Sequence, residues 1–479
     1  MKRRRVLVPV ILAGLSAFLP KLALAWDPAT THAGLTAQAL AASKFHATLA
    51  HQLGRALGSL EPLRLDMDTL DADSARSLKS RLEALDPAGG YRPSAEGTAT
   101  ASAWVLAGAV LSKTPPERGR HHFFDPRTGR GLDDGPGLSG MLHAARLTLD
   151  NGATVRDSAT GLAFDLEGTP ALDWQSSPRN DLGLTMFFDN WTLAASAPQR
   201  SQRETALVRA LLALGGALAV LEDAGQPAFV RNDFRGEFLQ DDSGSAFERF
   251  VSNRYGSVSL PPAMAAISRP SLVSYFVAED GKGLAQATQR QFFSPGTLPQ
   301  DFSFLPSQSP IELAGMANRS LRFPEPTVVT LDLRQSGITR YMVRDGVRVL
   351  AYQRNGDRVH FFLDQVVHQD MARRWLPEVE GYAAGMVDHL LRAKLQIEVT
   401  ESSARVTFTG TTTAADVAAQ VHIFSEDEAG IRSELATQTV QGGAPLSIDV
   451  PKGARKIAAY VRGQDGAGVY AAAAEARVP

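Results

Sequence analysis

The chain contains no cysteine. That excludes disulfides, a lipoprotein anchor and a thiol nucleophile, so packing or bound metals must stabilise it. It also lacks a charge excess, with 49 Lys and Arg against 51 Asp and Glu and a formal net charge of −2. The balance argues against general nucleic-acid binding and against electrostatic adsorption to membranes. Beyond Leu24 no stretch reads as a membrane span, and no internal repeat is present. A serine-hydrolase signature is missing too. Gly137-Leu138-Ser139-Gly140 is not a Gly-x-Ser-x-Gly elbow, and no Ser–His–Asp set can be assembled.

The first residues are informative. Met1-Lys2-Arg3-Arg4-Arg5 is a basic segment, Val6 to Leu19 an apolar run, and Ala23-Leu24-Ala25 a small-x-small cleavage signal. They predict a signal peptide over 1–25, a mature chain beginning at Trp26, and a secreted or periplasmic location. A membrane anchor is the competing reading. The run is short of the ~20 residues a span needs, and Pro9 interrupts it. The consecutive arginines also permit twin-arginine export.

Apolar periodicity predicts a mostly α chain in its first two-thirds. Thr30-Thr31 can cap a helix through Leu35 and Leu40. Further helices are expected at Ser74–Leu85, Ala101–Leu111, Gln202 to about Ala224, Ser245–Val251, Ser271–Gln291 and Gln369 to about Leu391. The Gln202 helix, with Leu207, Leu211, Leu214, Leu218 and Leu221 separated by Ala and Gly, should be buried at the centre of a bundle. The loop over 117–136 reads as too polar for core. Strand patterns at Val328–Leu331, Val347–Leu350 and Val359–Phe362 predict a β-hairpin insertion at about 325–365. From 394 to 479 short β runs and Gly-rich turns suit a small Ig-like β-sandwich. The expected domains are thus 26–393 and 394–479.

Three local patterns carry the chemistry. They are Trp26-Asp27-Pro28-Ala29-Thr30-Thr31-His32; Gly108-Ala109 followed by His122-Phe123-Phe124-Asp125-Pro126; and Leu221-Glu222-Asp223-Ala224-Gly225-Gln226-Pro227, with Phe247-Glu248 further on. In that order the set resembles the bacterial zinc-dependent phospholipases C and the related single-strand-specific zinc nucleases, over about Trp26 to Ser294. The resemblance implies an all-helical domain with three zinc ions that activate water and clamp a phosphodiester. It also implies that the free amine and carbonyl of the N-terminal Trp ligate one zinc, which gives a cut before Trp26 a chemical meaning.

Carried over residue by residue, the resemblance implies metal ligands at Trp26, His32, His122, Asp223 and Glu248, with Asp223 and Glu248 nearest the catalytic role. Four of the nine family slots hold other residues: Lys113 in place of Asp, and Ala219, Phe229 and Gly244 in place of His. The set Trp26, His32 and Asp223 is whole, a second set keeps His122 and shares Asp223, and a third keeps only Glu248. Fewer than three zinc ions are therefore expected. Lys113 would bring positive charge where a carboxylate should offset the metals.

Each piece also has a plainer reading. Asp223 to Pro227 could be a helix end with its stop signal, His32 a first-turn residue, and His121 and His122 solvated loop residues. Trp104, Trp191 and Phe187-Phe188 are expected in the core. His143, His360, His368, His389 and His422 have no ligand pattern around them, and Asp416, Glu426 and Asp427 are too scattered for a calcium site. Three functions remain open. One is a secreted relative with lost or attenuated hydrolase activity that binds a phospholipid headgroup or other phosphodiester. Another is a working phosphodiester hydrolase with one or two metals, and the last an interaction protein acting through its β domain.

Overall fold

The computed structural model describes residues 28–479 except 115, 133–146, 151–153, 158–162, 166–167, 234–244, 256–264, 304–310, 315–327, 412–417 and 442. The predicted signal peptide, Trp26, His143, Gly244 and Asp416 lie outside the described residues.

A helical domain comes first. Its main elements are α1 (Ala33–Ala42), α2 (Ala101–Leu111), α3 (Leu184–Ser196), α4 (Arg200–Asp223), α5 (Ala246–Tyr255) and α6 (Gln365–Leu390). Helix α2 starts where Thr100 Oγ1 accepts from the Ala103 N–H at 3.2 Å. Helix α6 starts where Asp364 accepts from the Val367 N–H at 2.9 Å, a turn earlier than the sequence pattern suggests. Helix α4 is the axis of the domain. By length and composition it could cross a membrane, which the sequence reading did not anticipate, yet 89% of its apolar stretch is buried inside the fold. It is a core helix because α2 and α3 cover it on both sides.

Glycines set that packing. A Cβ on Gly108 of α2 would lie 2.0 Å from the Leu212 carbonyl oxygen, and one on Gly215 of α4 would lie 1.9 Å from that of Val105. The two helices therefore cross backbone against backbone, and only glycine fits at either position. Gly215→Ala is expected to cost about 3 kcal/mol, the upper end for overpacking, because backbone cannot rotate away as a side chain can. The urea midpoint measures it, and a change below about 0.5 kcal/mol would show that the helices separate freely.

Trp104, Phe187, Phe188 and Trp191 are buried, as expected. Two other expectations need correction. The segment after α2 is solvated only in part: a 3-10 turn over Pro116–His122 leads into Phe123 and Phe124, both buried, while Arg127 to Arg130 are exposed. The Phe124 N–H donates to Phe229 O at 3.1 Å, and Phe123 stacks on Phe229, so the polar run is drawn inward by two aromatics. The helix expected over Ser271–Gln291 breaks into a 3-10 turn, Val273–Tyr275, and a helix, Leu284–Gln291. Gly281 in the left-handed region (φ 69°) separates them.

The β insertion is larger than a hairpin. Strands β1 (Thr339–Arg344), β2 (Val347–Asn355) and β3 (Arg358–Phe362) form an antiparallel meander, with Phe302–Ser303 paired on the outer edge of β3. Asp345 and Gly346, both at positive φ, make the two-residue turn between β1 and β2. Val328–Leu331 pairs with Ile311–Ala314 instead of joining this sheet. The meander lays β2 against α6, so the insertion is part of the helical domain's core.

Among its described residues the C-terminal domain has seven strands: β4 (Leu395–Val399), β5 (Ser403–Phe408), β6 (Ala419–Glu426), β7 (Arg432–Val440), β8 (Pro445–Asp449), β9 (Lys456–Asp465) and β10 (Gly468–Arg477). They form a sandwich with one sheet ordered β4-β5-β8 and the other β7-β6-β9-β10. Val406, Phe408, Ile423, Val461 and Tyr470 fill the space between the sheets. Ala471 and Ala473 point the other way, into the helical domain's core. That double burial explains the alanine run Ala471–Ala474, since a larger side chain would hold the domains apart.

Candidate functional site

The ends of α2 and α4 and the entrance to α1 converge on Asp223. Lys113 follows α2 directly, His32 closes the wide helical turn Pro28–His32 before α1, and His122 ends the 3-10 turn after Lys113. Glu222 and Asp223 are the last two residues of α4. The side chains of all five have zero exposure.

Asp223 is the hub. Lys113 Nζ lies 2.9 Å from both carboxylate oxygens, and His122 Nδ1 lies 2.6 Å from Oδ2. His32 Nε2 faces Oδ1 at 3.2 Å, a charge contact without good hydrogen-bond alignment. The other nitrogen of His32, Nδ1, is 2.5 Å from Glu222 Oε2, and Thr36 Oγ1 donates to Glu222 Oε1 at 2.8 Å. Lys113 Nζ also sits 5.2 Å from the Phe229 ring centroid, a cation–π distance.

The protonation states follow from this geometry. Burial would raise the Asp223 pKa, but Lys113, His32 and His122 together hold it well below the usual carboxylate range. Burial pushes His122 down to about 4, with Asp223 only partly opposing. A neutral His122 beside an ionised Asp223 must carry its proton on Nδ1, which leaves Nε2 a buried acceptor without a partner among the described residues. For His32 burial is outweighed by Asp223 and the pKa is raised; for Glu222 burial raises it, against the pull of His32. His32 and Glu222 meet at 2.5 Å, a contact that requires a proton between them. Lys113 and Asp223 cancel in charge.

A further buried carboxyl stands nearby. Glu380 of α6 has zero exposure, and neither of its oxygens has a hydrogen-bond partner among the described residues. Burial, reinforced by Glu222, pushes its pKa up to about 9, so it is a neutral acid at pH 7.

The structure thus brings His32, His122 and Asp223 together, with Lys113 among them. Ala219 is buried one turn before Asp223, and Phe229 stacks on Phe123 with ring centroids 4.0 Å apart. Glu248 is not among the partners of Asp223. It is placed at the start of α5, where it and Ser245 cap each other at 3.2 Å. Sequence reasoning missed Glu222, Thr36 and Glu380. Glu380, a lone acid in the otherwise apolar stretch Val379–Val387, could have been flagged by that pattern alone.

Zinc takes about four donors. Among the described residues no group of three or more His, Asp or Glu is placed to hold a metal. His32 Nε2 and Asp223 Oδ1 do converge, and Glu222 behind Nδ1 is the carboxylate backing that ligand histidines have. Trp26, the remaining member of that set, is outside the described residues. At the second set the ammonium of Lys113 already occupies the coordinating side of Asp223. Among the described residues, Lys113, Ala219 and Phe229 offer no zinc donor in three of the slots the resemblance expects.

Fold and site define a helical domain with a buried His–Asp–Lys cluster, followed by a β-sandwich. Among solved structures the chain is similar to "Alpha Toxin from Clostridium Absonum" at 11% identity and a TM-score of 0.31, covering 95% of each chain. It is also similar to Clostridium perfringens alpha-toxin from avian strain SWCP, at 11% identity and a TM-score of 0.26, covering 92% of this chain and 89% of that one. Superpositions this loose say nothing about shared chemistry. No family model matches the chain, and no curated protein matches it.

Proposed function

We propose that this is an exported relative of the zinc-dependent phosphodiesterases whose hydrolytic centre has become a structural core, and which acts by binding a phospholipid headgroup or other phosphodiester. One observation carries the reading. Lys113, in a slot where the resemblance expects a carboxylate ligand, lies 2.9 Å from both oxygens of Asp223 with no exposed surface. A divalent ion 4 Å from that ammonium would meet repulsion on the order of 8 kcal/mol at an effective dielectric of about 20. Because Lys113 touches both oxygens, the repulsion bears on the His32 edge of Asp223 as well, and at most one weakly held zinc ion is expected there.

The mature protein, untagged at its N-terminus, tests this by zinc content and by turnover of a choline-phosphate ester and single-stranded DNA, with and without chelator. The expected result is no more than one zinc per chain and no chelator-sensitive turnover. The carboxylate-backed Nε2 of His32 favours a second reading, a hydrolase with a reduced metal set. Two or more zinc ions together with chelator-sensitive turnover would establish that reading and overturn the first.

A further inference from the structure

The cleft between the helical domain and the β-sandwich has a charge balance unlike the rest of the molecule. It is a cavity of about 330 Å³ lined by seven basic and four acidic side chains, an excess of three positive charges in a chain whose net charge is −2. The acidic groups are already committed. Glu426 accepts from Arg203 and Arg432 at 2.9 Å, and Glu475 pairs with Arg432 at 2.5 Å and with Lys456 at 3.3 Å. Glu428 pairs with Arg455, and Asp427 accepts from the Ile431 N–H at 2.9 Å. These pairs, with Arg432 also donating to Ala195 O across the domain boundary, hold the two walls in place.

Three cations are left over. The side chains of Arg55, Arg200 and Arg477 line the cavity and make no hydrogen bond or ion pair within 4 Å among the described residues, Arg55 acting on Glu475 only at longer range. The Nε of Arg55 is buried as well as unpartnered, a donor withdrawn from water with nothing to receive it. Burial, with the neighbouring Arg432 adding to it, pushes Arg203 down to about 10 against the pull of Glu426 and Glu475.

We propose that this interdomain cleft is a binding site for a phosphate-bearing anion, held by Arg55, Arg200 and Arg477 against the fixed Arg203–Glu426–Arg432 network. Guanidinium groups match phosphate oxygens in pairs, and three uncommitted ones suit a group carrying two or more negative charges. The volume admits a phosphate monoester or a pyrophosphate, and lies at the small end of ligand cavities. Such an anion would touch both domains at once, so its binding would stabilise their packing. The site is separate from the buried Asp223 cluster and does not depend on its reading.

Pyrophosphate and inorganic phosphate are the soluble probes, titrated into the full mature chain with chelator present. Vesicles of phosphatidylcholine with and without phosphatidic acid are the lipid arm. Pyrophosphate should bind and raise the melting temperature, and Arg55→Gln with Arg200→Gln should weaken binding at least tenfold. Neither side chain belongs to the ion-pair network, so the fold should persist; Arg477→Gln on the last strand provides an independent variant with the same expected direction. Arginine-dependent binding to vesicles only when phosphatidic acid is present assigns a lipid headgroup, and arginine-dependent binding in solution alone assigns a free anion; either supports the site. Absence of binding in both arms, or equal affinity in parent and variants, overturns it.

Discussion

Lys113→Met should destabilise the protein by about 3–5 kcal/mol, the usual loss when one member of a buried ion pair is removed. The variant keeps the length of the side chain and removes only the ammonium. Asp223 is then left with zero exposure, its two histidine contacts and no permanent counter-charge. The carboxylate must either stay ionised in low dielectric or take up a proton, and both cost free energy that Lys113 now offsets. Urea unfolding of parent and variant at pH 7 measures the loss. Zinc supplies the discriminating arm. If Lys113 stands where positive charge is required, added zinc should recover part of the lost stability in Lys113→Ala, and Lys113→Asp should bind zinc more tightly than the parent by tenfold or more. Equal zinc affinity in parent and Lys113→Asp would show that Lys113 is an ordinary structural pair.

Glu380→Gln should stabilise the protein, and increasingly so as the pH rises. The sign follows from proton counting. An unfolded Glu380 titrates near 4.5 and the folded one at about 9, so between those values the folded state holds a proton that the unfolded state has released. Stability therefore falls as pH rises through that window, by about 1.4 kcal/mol per unit. At pH 8 the loss relative to pH 4.5 is about 3–5 kcal/mol, the range allowing for partial relaxation of the buried acid. Gln has the same shape and does not titrate, so this alkaline limb should flatten in the variant. The two stability curves should lie close together at pH 5 and separate towards pH 8. Parallel curves over that interval would mean that Glu380 is ionised in the fold, with a counter-charge close by.

Much of the helical domain was legible in the sequence. The Ala101–Leu111 helix and the central α4 follow from uninterrupted apolar periodicity, whereas the Asp364 cap that starts α6 was not foreseen and Thr30-Thr31 lie in the turn before α1 without capping it. The seven-strand C-terminal domain is legible from alternation and turn residues. The Ser271–Gln291 segment misled because its composition is helical throughout, while Gly281 and the flanking polar turn break the chain. The polar segment after α2 misled for the opposite reason: two phenylalanines outweigh its arginines once Phe229 is there to stack on.

The sequence by itself determined which residue types stand in the metal slots, including the lysine at 113 and the acid pair Glu222-Asp223. It also determined the absence of disulfides and the two-part α-then-β order. Only the tertiary structure decided what those residues do to one another. The glycine crossing of α2 and α4 fixes the end of one helix against the end of the other, and so delivers the Lys113 ammonium to both oxygens of Asp223. Packing also buries Glu380, far along the chain, beside Glu222, so that it stays protonated, and gathers Arg55, Arg200 and Arg477 at a domain boundary. Local pattern records each residue's chemistry. Distance between side chains remote in sequence is set by packing, and Coulomb energy in a buried site depends on that distance and on the exclusion of water.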